Sequence, residues 1–237
     1  MSRLSEQTFF VTGACGGIGG ALVRKLAAAG AKLVVSDIDA TKLEALAKEL
    51  GPNAFPITAD TTDENAVTAA MASAVQRLGY IDVLINVPGM SVPAKIWEMN
   101  LADYQRIFDV NVKGMFLCSK HFMKQTNPER GGLIISMSSI AGKTPNPNAP
   151  VYCAAKAAIN MISGGLAMQT KQANVKVSII SPGSTSTKGF WGDRQVPHEK
   201  FLKPEDVADM ICFVAGLPST WCFTMWYSSL GNFLRPT

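Results

Sequence analysis

The chain has 237 residues, of which 47% are hydrophobic and 17% charged, and its formal net charge is +4. This length and apolar content support one sizeable domain over residues 1–237 and exclude extensive disorder. Lys and Arg are scattered rather than clustered and are not interleaved with aromatics, which argues against a nucleic-acid partner.

Short β-rich runs alternate with longer helical patterns. Thr8–Thr12 reads as a buried strand, followed by glycines and a helix over Ala21–Ala29 that Gly30 stops. Lys32–Ser36 is a strand and Thr41–Leu50 a helix closed by Gly51. Ala54–Thr58 is a strand whose Pro56 suits an edge or irregular position. A helix over Glu64–Leu78 ends at Gly79, and Ile81–Ile85 is a strongly apolar strand. Asn100 N-caps a helix running to Val110 and on towards Lys124 with little break. Leu133–Ser136 is a strand, Val151–Gln172 a long helix and Val175–Ile180 another strand. Pro204 starts a helix that runs to about Gly216, and Trp221–Tyr227 is β-prone. Apolar strands separated by crossover helices predict a parallel sheet with helices on both faces.

The five cysteines (Cys15, Cys118, Cys153, Cys212, Cys222) show no Cys-x-x-Cys spacing. Free thiols in a reducing compartment fit them better than disulfides. With His121 and His198 far apart, no metal site is expected. Met1–Gln7 lacks the apolar run of a signal peptide, and charges such as Arg24, Lys25 and Lys32 interrupt apolar stretches. The expectation is a cytoplasmic protein without a membrane span.

Thr12-Gly13-Ala14-Cys15-Gly16-Gly17-Ile18-Gly19 lies between the first strand and the first helix. Glycines there let the backbone turn tightly and approach a pyrophosphate at the helix N-terminus. Asp37 ends the second strand, where a carboxylate accepts hydrogen bonds from adenosine ribose hydroxyls and repels a 2′-phosphate; neither Cys15 nor Ile38 offers a compensating cation. The pattern therefore predicts NAD rather than NADP. Tyr152 and Lys156 are spaced i, i+4 on one helix face, and a neighbouring ammonium favours a phenolate. Ser139 falls in the loop after the fifth strand, at the carboxyl edge where such sheets bind ligands.

Together these residues resemble the short-chain dehydrogenase/reductase family from Thr8 to about Gly216. The resemblance rests on Thr12-Gly13-x-x-x-Gly17-x-Gly19, Asp37, Asp60, Asn86-x-x-Gly89, Asn111, Ser138-Ser139-x-x-Gly142, Tyr152-x-x-x-Lys156 and Pro182-Gly183-x-x-x-Thr187. It implies a single-domain Rossmann-type α/β fold, a doubly wound parallel sheet. It also implies reversible NAD(H)-dependent oxidation of a small secondary alcohol to its ketone or aldehyde. The implied catalytic tetrad is Asn111, Ser139, Tyr152 and Lys156. Tyr152 would be the acid/base, Ser139 would hydrogen-bond the reacting oxygen, and Lys156 would bind the nicotinamide ribose and depress the Tyr152 pKa. Asn111 would hold a water that links Lys156 to solvent. The cofactor would also meet Gly13, Cys15, Gly17, Ile18, Gly19, Asp37, Ile38, Asp60, Thr61, Asn86, Gly89, Pro182, Gly183, Thr185 and Thr187. Family members usually pair through helices that correspond to Asp103–Lys124 and Val151–Gln172, so a homotetramer or homodimer is expected.

The chain departs from the family at Asn86-Val87-Pro88-Gly89, where Pro88 removes a backbone N–H, and in its far C-terminus. The Arg235-Pro236-Thr237 ending with Phe190-Trp191 is nearer a subgroup acting on small polar hydroxy acids and aldehydes. The substrate lid falls at about 188–203. Its Phe190 and Trp191 can form an apolar wall, and Arg194 could grip a carboxylate, sulfonate or phosphate. A solvated arginine beside two anchoring aromatics fits these residues equally. Asn148, before the catalytic helix, is another candidate wall. The rival readings are an epimerase or dehydratase that uses bound NAD transiently, and a non-catalytic NAD-binding sensor.

Overall fold

Strand β1 (Thr8–Thr12) is buried at every position, and its successive side chains point to opposite sheet faces, as extended backbone requires. Phe9 and Val11 join one apolar cluster and Phe10 the other. The structure, a computed structural model, describes residues 2–217 and the strand 224–227. The remaining strands are β2 (Lys32–Asp37), β3 (Ala54–Thr58), β4 (Val83–Asn86), β5 (Gly132–Met137), β6 (Val175–Pro182) and β7 (Thr224–Tyr227). They form one seven-stranded sheet in the order β3-β2-β1-β4-β5-β6-β7, and every pairing is parallel. The strand order reverses between β1 and β4, which opens a crevice at the carboxyl ends of those strands.

A single turn, α1 (Ser2–Ser5), precedes the sheet. Helices α2 (Gly17–Ala28), α3 (Ala40–Leu50) and α9 (Pro204–Ala215) cover one face, through Leu22, Leu26, Leu43, Leu46, Val207 and Ile211. Helices α4 (Glu64–Leu78) and α6 (Gly114–Gln125) cover the other, through Val67, Met71, Leu117 and Phe122. Burying each such side chain contributes roughly 1.5–3 kcal/mol. The remaining helices are α5 (Leu101–Phe108), α7 (Pro150–Gln169) and α8 (Lys188–Trp191). Asp39, Asp63 and Asn100 cap α3, α4 and α5 with side-chain acceptors, and Gly51 and Gly79 end α3 and α4 at positive φ.

Several expected boundaries move. Helix α2 begins at Gly17 rather than Ala21, so the glycines themselves form its first turn. Strand β6 extends to Pro182 and α7 stops at Gln169. Pro56 does lie on the edge strand, since β3 pairs only with β2. Of the β-prone tail, Thr224–Tyr227 is a strand; Trp221–Phe223 and Arg235–Thr237 lie outside the described residues. The expected run from Asn100 to Lys124 is broken by a π-helical turn, Asp109–Lys113, between α5 and α6. The expectation that charges interrupt every apolar stretch fails at α7, whose 20 residues are long and apolar enough to cross a membrane by length and composition. That helix carries Tyr152 and Lys156, and Val151, Ala155, Ile159 and Ser163 are buried.

Candidate active site

The carboxyl edge of the sheet opens into a cleft of about 1050 Å³. At one end the chain leaves β1 through Gly13, which holds φ +68, a backbone state that suits glycine. A Cβ on Gly13 would stand 3.1 Å from the Pro88 ring, so the departure at Pro88 packs directly on the glycine loop. A Cβ on Gly19 would lie 2.0 Å from the Gly13 carbonyl oxygen, and one on Gly17 would lie 2.6 Å from Thr187 Cγ2. The N-cap, Gly16, offers no side-chain acceptor to the first turn of α2. Gly17, Ile18 and Gly19 of that turn line the cleft, and free N–H groups at a helix start suit an anion.

Asp37 lines the same end, and its Oδ2 accepts the Cys15 N–H at 2.9 Å. Burial and the carboxylates of Asp37 and Asp39 push the Cys15 thiol up to about 11, so it stays protonated. Asp60 lines the cleft while its Oδ1 accepts from the Thr62 N–H and hydroxyl, each at 2.8 Å. Ile18, Ile38 and Thr61 also line it. Sequence reasoning missed Asp39, Lys42 and Arg106, which line the cleft too. Lys42 is paired with Asp39 at 2.7 Å, a spacing of i, i+3 that was open to view. Arg106 stands four residues before Val110, another lining residue, so helical periodicity could have placed it.

At the other end, β5 delivers Ser139 and the first turn of α7 delivers Tyr152. Ser139 Oγ accepts the Ala141 N–H at 3.2 Å, and its hydrogen bond with Tyr152 pulls the phenol down. Burial outweighs that effect and pushes the Tyr152 phenol up to about 12. Lys156 is 2% exposed, and its Nζ donates to the Met137 carbonyl at 2.9 Å. Burial pushes this amine down to about 7. The expected depression of Tyr152 by Lys156 is not what these shifts display, because desolvation moves both groups towards their neutral forms.

Asn86 and Asn111 do not line the main cleft. Both border a second, very small cavity beneath it. Asn111 sits in the π-helical turn, and its Nδ2 donates to the carbonyls of Ile107 (2.8 Å) and Met90 (2.9 Å). A π-turn of this kind frees a carbonyl that an ordinary helix would use. Asn111 Oδ1 is buried without a partner. A Cβ on Gly89 would lie 3.2 Å from that oxygen and 3.1 Å from Lys156 Nζ, so the two tetrad members converge on the gap above Gly89. Asn86, expected at the cofactor, instead reaches Ser119 Oγ through a long 3.4 Å contact.

Pro182, Gly183, Thr185 and Thr187 continue from β6 along the cleft wall. Beyond them, Phe190 and Trp191 of α8 reach the Tyr152 end, where the Phe190 ring lies 5.7 Å from the Tyr152 ring. Asn148 lines the cleft as well. Arg194 lines the cleft, but its Nε donates to the Trp191 carbonyl at 2.7 Å and its Nη2 to the Phe190 carbonyl. Part of the guanidinium fork expected to grip an anion is therefore already engaged.

Comparison with known proteins agrees with this geometry. The short chain dehydrogenase family profile matches residues 7–196. The chain is similar to the 2,3-dihydro-2,3-dihydroxybenzoate dehydrogenase of Bacillus subtilis, with 31% identity covering 86% of this chain and 87% of the relative. It is 31% identical to the cis-4-hydroxycyclohexanecarboxylate dehydrogenase of Sinomonas cyclohexanicum, covering 89% and 90%. Among solved structures, a dehydrogenase/reductase from Sinorhizobium meliloti superposes with a TM-score of 0.86 at 27% identity, covering 98% of each chain.

Proposed function

Because the chain belongs to the short-chain dehydrogenase/reductase family, an oxidoreductase family acting on CH–OH groups, we propose that it interconverts a small secondary alcohol and its carbonyl with NAD(H). Hydroxy acids, polyols and similar polar alcohols are the substrates considered first. The observation that carries this reading is the convergence of Ser139, Tyr152 and buried Lys156 on one end of the cleft whose other end is the glycine loop.

The residues fit a dinucleotide. Side chains at Gly17 and Gly19 would fill the cradle, and Asp37 supports NAD over NADP, with Lys42, a cation of the same cleft, already paired to Asp39. Gly13, Gly17, Ile18 and Gly19 would hold the pyrophosphate, Asp37, Ile38, Asp60 and Thr61 the adenosine, and Thr185, Thr187 and Lys156 the nicotinamide side. When bound, NAD supplies the hydride acceptor.

The protein's own residues then manage the proton. Ser139 donates to the reacting oxygen and orients it, and Tyr152 takes the alcohol proton in oxidation and returns it in reduction. Burial keeps Tyr152 protonated at rest, which prepares it as the acid for reduction. Lys156 holds a donor beside the site, and the unpartnered Asn111 Oδ1 faces the same gap, where a water would carry the proton outward. Four unpaired thiols, Cys15, Cys118, Cys153 and Cys212, support a cytoplasmic setting. The exposed apolar face of α7 supports a homo-oligomer. The test is a panel of small alcohols, hydroxy acids and sugars with NAD+ or NADP+, read by absorbance of the reduced nicotinamide; no turnover on any of them would overturn the reading.

A further inference from the structure

The lid holds its aromatics in a continuous chain. The Phe190 ring lies 5.7 Å from Tyr152 and 5.3 Å from Trp191, and Trp191 lies 5.1 Å from Phe201, which is 5.9 Å from His198. Each of these separations falls in the range where ring pairs attract beyond their burial. Trp191 is pinned at its far edge, where Nε1 donates to the Thr185 carbonyl at 2.7 Å. Arg194 then locks the unit twice over. Its guanidinium stands 4.9 Å from the Trp191 centroid and 5.5 Å from that of Phe190, and it donates to the carbonyls of both residues. Cation–π stacking and carbonyl capping thus use the same group.

We propose that Phe190, Trp191 and Arg194 form a clamp that roofs Tyr152 and makes the substrate end a slot for secondary alcohols with an apolar ring face. This rests on the dehydrogenase reading and narrows it. A carbinol whose oxygen reaches Ser139 and Tyr152 lies beside the Phe190 ring, which welcomes C–H edges. It gives no hydrogen bond to a hydroxyl stripped of water, so an acyclic polyol loses solvation there without return. Asn146 and Asn148, which line the same cleft, offer polar groups to a hydrophilic substituent on the ring. Arg194 is a positioning residue: it acts through Phe190 and does not read substrate charge.

The experiment uses the full-length protein with NAD+ and three alcohols: cyclohexanol, 2-propanol and 3-hydroxybutyrate. Cyclohexanol is expected to show the highest kcat/KM. Phe190→Ala should lower the cyclohexanol-to-2-propanol ratio about three- to tenfold, the worth of one aromatic contact, mainly through KM. Phe190→Tyr should retain the ratio. Arg194→Ala should lower the same ratio comparably, with Arg194→Lys recovering part of it. NADH binding should be unchanged in all four variants, which shows that they are folded. A wild-type ratio near unity, or equal fractional losses on cyclohexanol and 2-propanol, overturns the slot. A KM increase confined to 3-hydroxybutyrate in Arg194→Ala overturns the clamp and makes Arg194 an anion reader. Absence of turnover on any alcohol in the wider panel overturns the dehydrogenase reading itself.

Discussion

Lys156 Nζ donates to the Met137 carbonyl at 2.9 Å from a position with almost no solvent contact. Burial lowers this amine from 10.5 to about 7. Below pH 7 both folded and unfolded chains carry the proton, and the folded state bears the full cost of the buried charge. Between about 7 and 10.5 the unfolded chain binds more protons than the folded one, so stability rises with pH.

Lys156→Met removes that cost while keeping the stem's volume, and gives up one hydrogen bond. The variant should be inactive yet more stable near pH 7, by about 1–3 kcal/mol after the lost bond is counted. Thermal unfolding of both proteins at pH 6.5 and 9.5 checks this. The gap in Tm should shrink at the higher pH. A gap independent of pH, or a variant that melts earlier at both, would show that burial does not strain this lysine.

Tyr152 supplies a second pH signature. With the phenol held near 12, oxidation needs a form that is scarce at neutral pH. kcat/KM for oxidation should therefore climb between pH 7 and 9, and kcat/KM for reduction should not. Tyr152→Phe keeps the ring contact with Phe190 and removes only the hydroxyl. It should cost about 10²- to 10⁴-fold in turnover with NADH binding intact; a smaller loss would point to a different acid/base.

The spacing of Tyr152 and Lys156 and the glycine loop were legible because helical periodicity and backbone sterics are local rules. The direction in which burial shifts both titrating groups was not, since it depends on how residues distant in sequence enclose them. The π-turn at Asn111 escaped because α5 before it and α6 after it are short, and a single phase shift between two short apolar patterns is hard to tell from their ordinary irregularity. Arg194 reads in sequence as a free cation because its partners are backbone carbonyls, which leave no mark on residue type. Pro88 was visible as a departure, but its packing on Gly13 joins two loops that are far apart in the sequence and meet only because β1 and β4 pair in the sheet.

Asp37 carries the proposed choice of cofactor. Its carboxylate sits at the cleft wall and holds the Cys15 N–H, and in the proposed binding mode it would repel a 2′-phosphate. NAD+ should be preferred over NADP+ in kcat/KM, and Asp37→Ser should narrow the gap about ten- to a hundredfold, the scale of one charge-assisted hydrogen bond. Equal efficiency with both cofactors in the unmodified protein would remove this role.

Helix α7 leaves Met161 78% and Met168 74% exposed, and nothing lies within 4 Å of the Cβ positions that Gly164 and Gly165 lack. An apolar helix face with bare glycines suits close packing against a second copy. Light scattering at micromolar concentration should give a multiple of the 25.3 kDa chain mass, and Met161→Glu with Met168→Glu should shift it towards one chain. A monomer in the unmodified protein would contradict this.

Gly17 offers the sharpest test of the loop, because the obstacle to a side chain there is a single residue, Thr187, through its methyl and its Cβ. The Cβ of Gly17→Ala would fall 2.6 Å from Thr187 Cγ2, well inside contact distance, and Thr187 is itself nearly buried. One of two things must yield: the first turn of α2, with the N–H groups that meet a phosphate, or the Thr187 loop that continues to the lid. Either displacement weakens dinucleotide binding, and about tenfold weaker NADH affinity is expected from a misfit of this kind. Thr187→Ser deletes the offending methyl and keeps the hydroxyl. Alone it should change affinity little; combined with Gly17→Ala it should restore part of the loss, since the Cβ at position 187 stays 3.0 Å away, a coupling that a double-mutant cycle measures directly. Additive losses in the double variant would mean that the alanine acts on the phosphate-binding turn itself and that Thr187 is a bystander.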